Sequence, residues 1–221
     1  MKRYAIFGAS GCGRGVMPLA RQQLQPALSA GEADLVFVDD HPPAPQVNGH
    51  RVLTTAQWMA EPASSRHVCI AIANSQTRQR LAVQCKADGV GFFEVRAGNV
   101  VQMDDVQLGE GAILSPFVTL TSNIRIGRHF HANLYSYVEH DCVIGDFVTF
   151  APGVKCNGNV IIEDHVYIGA GAVIKQGQPG APLVIGRGAV VGMGSVVTKS
   201  VPPGATVVGN PARLINKQTL C

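Results

Sequence analysis

Residues 132–149 read ANLYSY-VEHDCV-IGDFVT, three consecutive groups of six residues whose first and fifth positions are all small or apolar. The same rule holds for the hexads that begin at every sixth residue from Leu108 to Ile174, with Gln178 as its one exception at the fifth position. An α-helix cannot keep a six-residue apolar period, and the two-residue alternation of a β-sandwich strand does not single out positions one and five. A six-residue repeat is typical of a parallel β-helix, in which each hexad forms one flat side and its turn.

The repeat also predicts how the rod is built and assembled. Three hexads make one coil, so the region from residue 108 holds about five coils. Residues 176–184 interrupt the count, which resumes at Ile185, and we expect them to protrude as a loop. A rod of stacked coils buries little apolar surface unless its sides are covered. A homotrimer whose flat sides pack together is the assembly that we expect.

The first part of the chain follows a different pattern, in which short apolar runs alternate with helical periodicity. The expected elements are strands at residues 4–7, 35–38 and 68–73 and helices at residues 16–28 and 77–87. This order predicts a small Rossmann-like α/β domain with a parallel sheet, and it places Leu81 and Val83 on the buried side of the second helix. We therefore predict an α/β domain at 1–96 followed by a β-helix at 97–221.

The composition narrows the class of protein and its partners. Hydrophobic residues make up 46% of the chain and charged residues 15%, which indicates a globular rather than a disordered protein. The net charge is +3 and the basic residues are scattered, so we expect no nucleic-acid partner. No segment approaches the roughly 18 apolar residues of a membrane span. The six cysteines lack C-x-x-C spacing, so we expect free thiols, no metal site and a cytoplasmic location.

Glu139-His140-Asp141 is a polar triplet inside the quoted stretch. The third and fourth positions of a hexad point outward, so His140 and Asp141 should lie on the surface of the rod. An imidazole takes up a proton near neutral pH, and a neighbouring carboxylate orients it and stabilises its protonated form. The pair suits a general base, although a histidine beside an aspartate is also common on a solvated surface. Three further histidines of the repeat are rival bases: His129, His131 and His165. His131 is near enough in sequence to share the same pocket.

The segment Gly8-Ala9-Ser10-Gly11-Cys12-Gly13 joins the first expected strand to the first expected helix. Backbone N–H groups in such a turn form a seat for phosphate, although a tight turn without a ligand is an equal alternative. The spacing differs from the dinucleotide G-x-G-x-x-G fingerprint. Asp39-Asp40 ends the second strand and Asn74 follows the third, and acidic residues at that edge commonly hold ribose hydroxyls. The pattern indicates a nucleotide-linked ligand.

Several motifs occur together with the hexapeptide repeat: IFGASGCG at 6–13, VDD at 38–40, EHDCVIGD at 139–146 and VGNPAR at 208–213. In this combination nearly the whole chain resembles the bacterial NeuD/PglD acyltransferases. The resemblance implies a left-handed β-helix trimer that binds acetyl-CoA between subunits. It also implies an N-terminal domain that holds a nucleotide-activated amino sugar. Several members N-acetylate the 4-amino group of a dideoxy or trideoxy hexose, and others O-acetylate sialic acid.

The resemblance also implies roles for individual residues. His140 takes the place of the general base, and Asp141 that of the acidic residue that raises its basicity. The positions that match the nucleotide-sugar site are Ser10, Gly11, Cys12, Asp39, Asp40 and Ala73. The positions that match the acetyl-CoA site are Thr149, Ala170 and Met193, the last two through backbone atoms. Two positions depart from the family pattern, because Cys12 and Thr149 each stand where family members can have a histidine.

Three functions are open at this point. The first is acetyl-CoA-dependent N-acetylation of the 4-amino group of a nucleotide-linked dideoxy or trideoxy amino sugar, by direct attack with His140 as general base. Direct attack is favoured over a covalent acyl-enzyme intermediate because the sequence offers no clear nucleophile. Cys142 and Cys156 occupy inward positions, and no G-x-S-x-G motif is present. The second is O-acetylation of sialic acid, which needs a stronger base because a hydroxyl is less nucleophilic than an amine. The third is a non-catalytic β-helix that binds a nucleotide sugar.

Overall fold

The computed structural model describes residues 1–42 and 44–215. The described chain divides into two units. One unit is Met1–Gly98 with Glu110–Ile113, and the other is Asn99–Gly109 with the described residues from Leu114 onward. The domain bounds at 96 and 97 stay a prediction. None of the helices in the two described ranges has both the length and the hydrophobicity needed to cross a bilayer.

The first unit is an α/β domain built on one mainly parallel sheet. Its elements are β1 (Lys2–Phe7), α1 (Gly11–Ser29), β2 (Ala33–Val38), β3 (Gln46–Val47), β4 (His50–Leu53), α2 (Thr55–Ala60), β5 (Ser65–Ile70), α3 (Ser75–Ala87), β6 (Gly91–Phe92) and β7 (Val95–Arg96). The sheet has the order β3-β4-β2-β1-β5-β6, and β1 pairs in parallel with β2 and β5. The predicted parallel α/β domain is confirmed, although β5 ends at Ile70, earlier than residue 73.

The connection from β1 to α1 is shorter than predicted. α1 begins at Gly11 rather than at residue 16, because Gly8 turns the chain in the left-handed region (φ +106) and Ser10 precedes the helix in an extended conformation. Gly13 then lies against the end of the strand, where a Cβ would come within 1.8 Å of the Gly8 carbonyl oxygen. These two glycines therefore allow close packing of the helix on the strand rather than a long loop.

The buried side of α3 differs from the prediction. Val83 is 66% exposed and Leu81 is only half-buried. The buried residues are instead Arg78, Ala82 and Cys85, which recur at helical spacing. The placement of Val83 was therefore wrong, because the buried side is centred on an arginine that apolar periodicity does not detect.

The second unit is a parallel β-helix with three flat sides. The first side contains β10 (Ile113–Leu114), β13 (His131–Ala132), β16 (Thr149–Phe150), β19 (Tyr167–Ile168), β22 (Val190–Val191), β24 (Thr206–Val208) and β25 (Arg213–Leu214). The second side contains β8 (Val101–Gln102), β11 (Thr119–Leu120), β14 (Tyr137–Val138), β17 (Lys155–Cys156), β20 (Val173–Ile174) and β23 (Val196–Val197). The third side contains β9 (Val106–Leu108), β12 (Ile124–Ile126), β15 (Val143–Ile144), β18 (Val160–Ile162) and β21 (Leu183–Ile185). The predicted β-helix is confirmed, and its left-handedness stays a prediction.

Up to residue 174, successive coils are offset by 18 residues, as three hexads require. Tyr137, for example, pairs in parallel with Lys155. The offset rises to 23 where Val160 pairs with Leu183, because residues 178–182 leave the rod. This extra segment is the loop that the interrupted count predicted.

The inside of the rod is filled by the first and fifth residues of the hexads. The first residues are buried from Leu114 to Ile174, and the fifth residues are buried from Ala112 to Ala172. Gln178, the exception to the rule, lies in the exposed loop and forms a β-bridge with Ala181. The small or apolar residues that recur in the sequence are therefore the ones whose side chains face the core.

Candidate active site

The turn at residues 139–141 carries the chain from the second side of the β-helix to the third. Val138 before it and Cys142 after it are buried in the core. The residues between them point outward, and the side chains of His140 and Asp141 are 45% and 48% exposed. We call this turn, together with the stacked turns at 121–123 and 157–159, the His140 corner.

His140 and Asp141 form a hydrogen-bonded pair. Nδ1 of His140 lies 2.8 Å from Oδ2 of Asp141. This hydrogen bond raises the pKa of His140 above its ordinary value, and the negative charges of Asp141 and Glu139 act in the same direction. The same hydrogen bond lowers the pKa of Asp141. Because the carboxylate accepts from Nδ1–H, Nε2 keeps the lone pair of the neutral ring and is the atom that can take a proton.

Neighbouring coils bring two further residues to this pair. Asn123, 18 residues before Asp141, donates from Nδ2 to Asp141 Oδ1 at 3.3 Å. Gly158, 18 residues after His140, lies against the imidazole, and a Cβ at Gly158 would come within 2.5 Å of His140 Cε1. The sequence pattern around the triplet did not point to either residue. The 18-residue offset of the coils is the signal that could have found both.

The rival histidines do not lie at the His140 corner. His131 is on β13 of the first side and is buried, so within one chain it lies away from His140, and a shared pocket stays a prediction. His129 is buried as well, and its ring stacks on Phe147 with 5.1 Å between the centroids. Phe147 stacks in turn on His165 at 5.3 Å. These rings pack on one another at the turns between the third and first sides.

The three positions matched to acetyl-CoA lie on the first side or at its edge. Thr149 is on β16 and is buried. Ala170 and Met193 lie in successive turns between the first and second sides, where the Gly194 N–H donates to the Ala170 carbonyl oxygen at 2.8 Å. Both are exposed, Met193 by 81%. We call the turns at 151–153, 169–171 and 192–194 the Ala170 corner. The second side separates it from the His140 corner.

In the first unit, Asp39 and Asp40 lie at the carboxyl edge of the sheet, as predicted, and both are held by hydrogen bonds. Asp39 accepts from the Ala9 N–H through Oδ2 and from the His41 N–H through Oδ1, each at 3.0 Å. Asp40 accepts from the Thr55 N–H at 2.7 Å and from the Thr55 hydroxyl at 2.9 Å. Asp39 therefore links the ends of β1 and β2, and Asp40 fixes the start of α2.

The remaining positions matched to the nucleotide sugar follow β1 and β5 at the same edge: Ser10, Gly11, Cys12 and Ala73. A buried arginine lies next to them, because Arg78 donates from Nη1 to the carbonyl oxygens of Ile72 and Ala73 at 2.7 and 3.1 Å. Burial lowers the pKa of Arg78 to about 10. Burial raises the pKa of the Cys12 thiol, and the positive charge of Arg78 opposes that shift. The sequence pattern did not reveal this arginine.

Three family models match the chain. The PglD N-terminal domain matches residues 3–85. The bacterial transferase hexapeptide (six repeats) matches residues 141–176, and the hexapeptide repeat of succinyl-transferase matches residues 159–199. The first model covers the α/β unit, and the other two cover coils of the β-helix.

Three relatives match nearly the whole of this chain, and the match covers nearly the whole of each relative. GDP-perosamine N-acetyltransferase of Escherichia coli O157:H7 is 53% identical over 213 residues, which are 96% of each chain. The structure of WeeI from Acinetobacter baumannii AYE is 56% identical with a TM-score of 0.93, over 97% of this chain and 100% of WeeI. The acetyltransferase domain of PglB from Neisseria gonorrhoeae FA1090 is 25% identical with a TM-score of 0.81, over 96% and 99% of the two chains. The chain therefore belongs to the NeuD/PglD-like family of hexapeptide-repeat acyltransferases.

Proposed function

We propose that this acyltransferase transfers the acetyl group of acetyl-CoA to the 4-amino group of a nucleotide-linked deoxyamino sugar, with GDP-perosamine as the substrate. The observation that carries the proposal is the His140–Asp141 pair, joined by a 2.8 Å hydrogen bond at an outward corner of the rod. The choice of GDP-perosamine is supported by the name of the full-length relative that is 53% identical.

In the proposed reaction, His140 is the general base for a direct attack. The sugar amine attacks the thioester carbonyl, a C–N bond forms, and Nε2 of His140 takes a proton from the nitrogen. The tetrahedral intermediate then collapses, the C–S bond breaks, and His140 returns the proton to the departing CoA thiolate. Asp141 keeps the ring oriented and stabilises the imidazolium. A positioned base of this kind contributes about 10²–10⁴-fold to the rate.

The transition state also needs a donor for the carbonyl oxygen as it becomes negative. Thr149 stands where relatives can have a histidine, so a hydroxyl or a backbone N–H supplies that hydrogen bond here. Thr149 lies on the first side, whereas His140 lies at the edge between the second and third sides. If acetyl-CoA binds beside Thr149, a second chain is therefore needed to bring its thioester to His140.

We propose a left-handed homotrimer with the reaction at the interface between chains. The Ala170 corner of one chain faces the His140 corner of the next, so that acetyl-CoA lies between them. Several apolar side chains are exposed at turns between the first and second sides, which supports the proposal that another chain covers this surface: Phe117, Leu134, Tyr135 and Met193. The rings of Phe117 and Tyr135 stack with 4.7 Å between their centroids.

In this proposal, the first unit holds the nucleotide of the sugar substrate. The turn after β1, the ends of β2 and β5, and the buried charge of Arg78 lie at one edge of its sheet. Asp39 and Asp40 shape that edge through the hydrogen bonds of their carboxylates. The described cysteines are free thiols, which supports a cytoplasmic location: Cys12, Cys69, Cys85, Cys142 and Cys156.

A thiol-release assay with acetyl-CoA tests the proposal against its alternatives. The acceptors are GDP-perosamine, 4-amino sugars linked to UDP and dTDP, and free sialic acid. We expect the fastest release with GDP-perosamine, together with an N-acetylated product. Release with sialic acid alone would identify an O-acetyltransferase. No release with any acceptor, combined with binding of a nucleotide sugar, would identify a non-catalytic binding protein.

A further inference from the structure

The imidazole of His140 lies in space that a side chain of the next coil would otherwise occupy. A Cβ built at Gly158 would come within 2.5 Å of Cε1, 2.6 Å of Nε2 and 2.9 Å of Nδ1. The coils around them are tightly joined, since the Asn159 N–H donates to the His140 carbonyl oxygen at 3.0 Å and the Gly177 N–H donates to the Gly158 carbonyl oxygen at 2.9 Å. The ring therefore rests on the backbone of Gly158.

Other turns of the rod stack side chain on side chain. Phe117 stacks on Tyr135 with 4.7 Å between centroids, and His129 stacks on Phe147 with 5.1 Å between centroids. Each of these pairs is separated by the same 18 residues as His140 and Gly158. Those pairs lie at the fourth position of their hexads, whereas His140 and Gly158 lie at the third, and here the residue 18 positions after the ring has no side chain.

The backbone of Gly158 does not itself require glycine. Its φ lies outside the left-handed region, in contrast with Gly153 (φ +72) and Gly171 (φ +68). An L-residue could adopt this conformation without the strain that a left-handed φ imposes. A side chain at position 158 would instead displace the imidazole of His140. That ring can move, because it is the end of a side chain.

We propose that Gly158 is a positioning residue, whose missing side chain provides the seat that holds the His140 imidazole in reach of Asp141. This inference rests on the proposed role of His140 as general base. Gly158 sets the ring from one direction through its backbone, and Asp141 sets it from another through the hydrogen bond to Nδ1. Asn123 completes the arrangement, because it holds the second oxygen of the Asp141 carboxylate.

Gly158→Ala is the direct test. We expect kcat to fall by about 10²-fold, the loss that a displacement of about 1 Å brings, while the KM for acetyl-CoA changes little. The matched control is Gly98→Ala, because Gly98 is exposed, has no left-handed φ, and has no atom within 4 Å of the added Cβ. The control should keep the wild-type kcat. An unchanged kcat in Gly158→Ala would overturn the inference.

A second measurement separates displacement of the ring from damage to the fold. The charged groups that act on His140 are Asp141 and Glu139, with the Cys142 thiol beside them. In Gly158→Ala the hydrogen bond to Asp141 is weakened, so the NMR titration of His140 should move down toward the ordinary value of about 6.5. In Gly98→Ala it should stay at the wild-type value. A His140 titration unchanged by Gly158→Ala would contradict displacement of the ring.

The double variant His140→Ala/Gly158→Ala distinguishes failure of this inference from failure of the proposed function. If Gly158 acts through the ring, the double variant has the kcat of His140→Ala alone, and it folds even if Gly158→Ala does not. Additive losses, or loss of folding in the double variant, would show that Gly158 serves the fold instead. If His140→Ala alone keeps full turnover, the proposed base is wrong, whereas the NMR titration still reports whether Gly158 seats the ring.

Discussion

At the scale of single residues, the conformation of one turn lets two adjacent side chains meet. Asp141 has φ +59, in the left-handed region that aspartate tolerates better than most residues. Its N–H donates to the Ser122 carbonyl oxygen of the preceding coil at 3.1 Å. In this conformation Oδ2 reaches Nδ1 of His140. The backbone of the turn therefore holds His140 and Asp141 together, and neither residue occupies an inward position of the repeat.

The substitution His140→Ala removes the proposed base. We expect kcat to fall by about 10²–10⁴-fold, the contribution of a positioned general base, with little change in the affinity for acetyl-CoA. Steady-state kinetics and a separate binding titration measure the two effects. His67→Ala, which removes a histidine on β5 of the first unit, is the control. Wild-type turnover in His140→Ala would show that a group other than His140 accepts the proton.

The substitution Asp141→Asn should change the pH profile in a defined direction. Asp141 raises the pKa of His140, so its loss lowers that pKa, and the ring stays neutral to a lower pH. Since the neutral ring is the base, the acid limb of kcat/KM should shift to lower pH, while the plateau falls because the base is weaker and less well oriented. The pH dependence of kcat/KM measures both effects. An acid limb that stays in place, or moves to higher pH, would contradict the assignment of this limb to His140.

At the scale of elements, two glycines control how α1 packs on the end of β1. Gly13→Ala places a Cβ within 1.8 Å of the Gly8 carbonyl oxygen, and we expect it to destabilise the first unit by about 1–3 kcal/mol, as overpacking does. Gly11→Ala meets no atom within 4 Å and should be neutral or stabilising by up to about 1 kcal/mol. Urea unfolding followed by the fluorescence of Trp58 reports on this unit, because Trp58 is buried in α2 and is the chain's one tryptophan. Equal stability of the two variants would contradict this packing.

The loop at residues 178–182 should be dispensable for the register of the rod. Gly177 and Leu183 flank it and bond to adjacent residues of the preceding coil, through N–H groups that donate to the carbonyl oxygens of Gly158 and Asn159. Removing the five residues restores the 18-residue offset, so we expect the free energy of unfolding to change by less than about 1 kcal/mol.

Circular dichroism during thermal unfolding measures the effect of this excision. The matched control removes residues 160–164, also five in number, from a strand and its turn. The control should unfold the rod, because it moves inward side chains out of the core. A loop excision as damaging as the control would contradict the register described here.

Much of this organisation could be predicted from the sequence, and the residues that were missed escaped for two physical reasons. The six-residue repeat identified the inward positions because each coil buries the same two positions of its hexads. It also placed His140 outward. Asn123 and Gly158 escaped notice because they reach His140 and Asp141 only through the stacking of coils. Arg78 escaped because a buried arginine breaks the apolar pattern that locates a buried helix side.

At the scale of the whole molecule, the two corners of the rod are the basis for the proposed interfacial site. The turns with Ala170 and Met193 lie at one edge of the second side, and His140 lies at the other. The proposal joins these edges from different chains. We therefore expect light scattering to give a mass three times the chain mass of 23.3 kDa. A monomer with full activity would contradict the interfacial site.

Mixing two impaired variants tests whether neighbouring chains share the site. Ala170→Trp should block acetyl-CoA at one corner, and His140→Ala removes the base at the other. Each variant alone should have little activity, but trimers reassembled from a mixture should regain part of the wild-type activity, because some interfaces combine an intact Ala170 corner with an intact His140 corner. Absence of any recovery in mixed trimers would place both corners of a site on one chain.

The most direct test of the central claim is to identify the product of the wild-type enzyme with acetyl-CoA and GDP-perosamine. Mass spectrometry and NMR of the nucleotide sugar should show one added acetyl group on the 4-amino nitrogen, formed in equal amount to the CoA thiol released, and formed far more slowly by His140→Ala. An unmodified nucleotide sugar, or an acetyl group on a hydroxyl, would contradict the account.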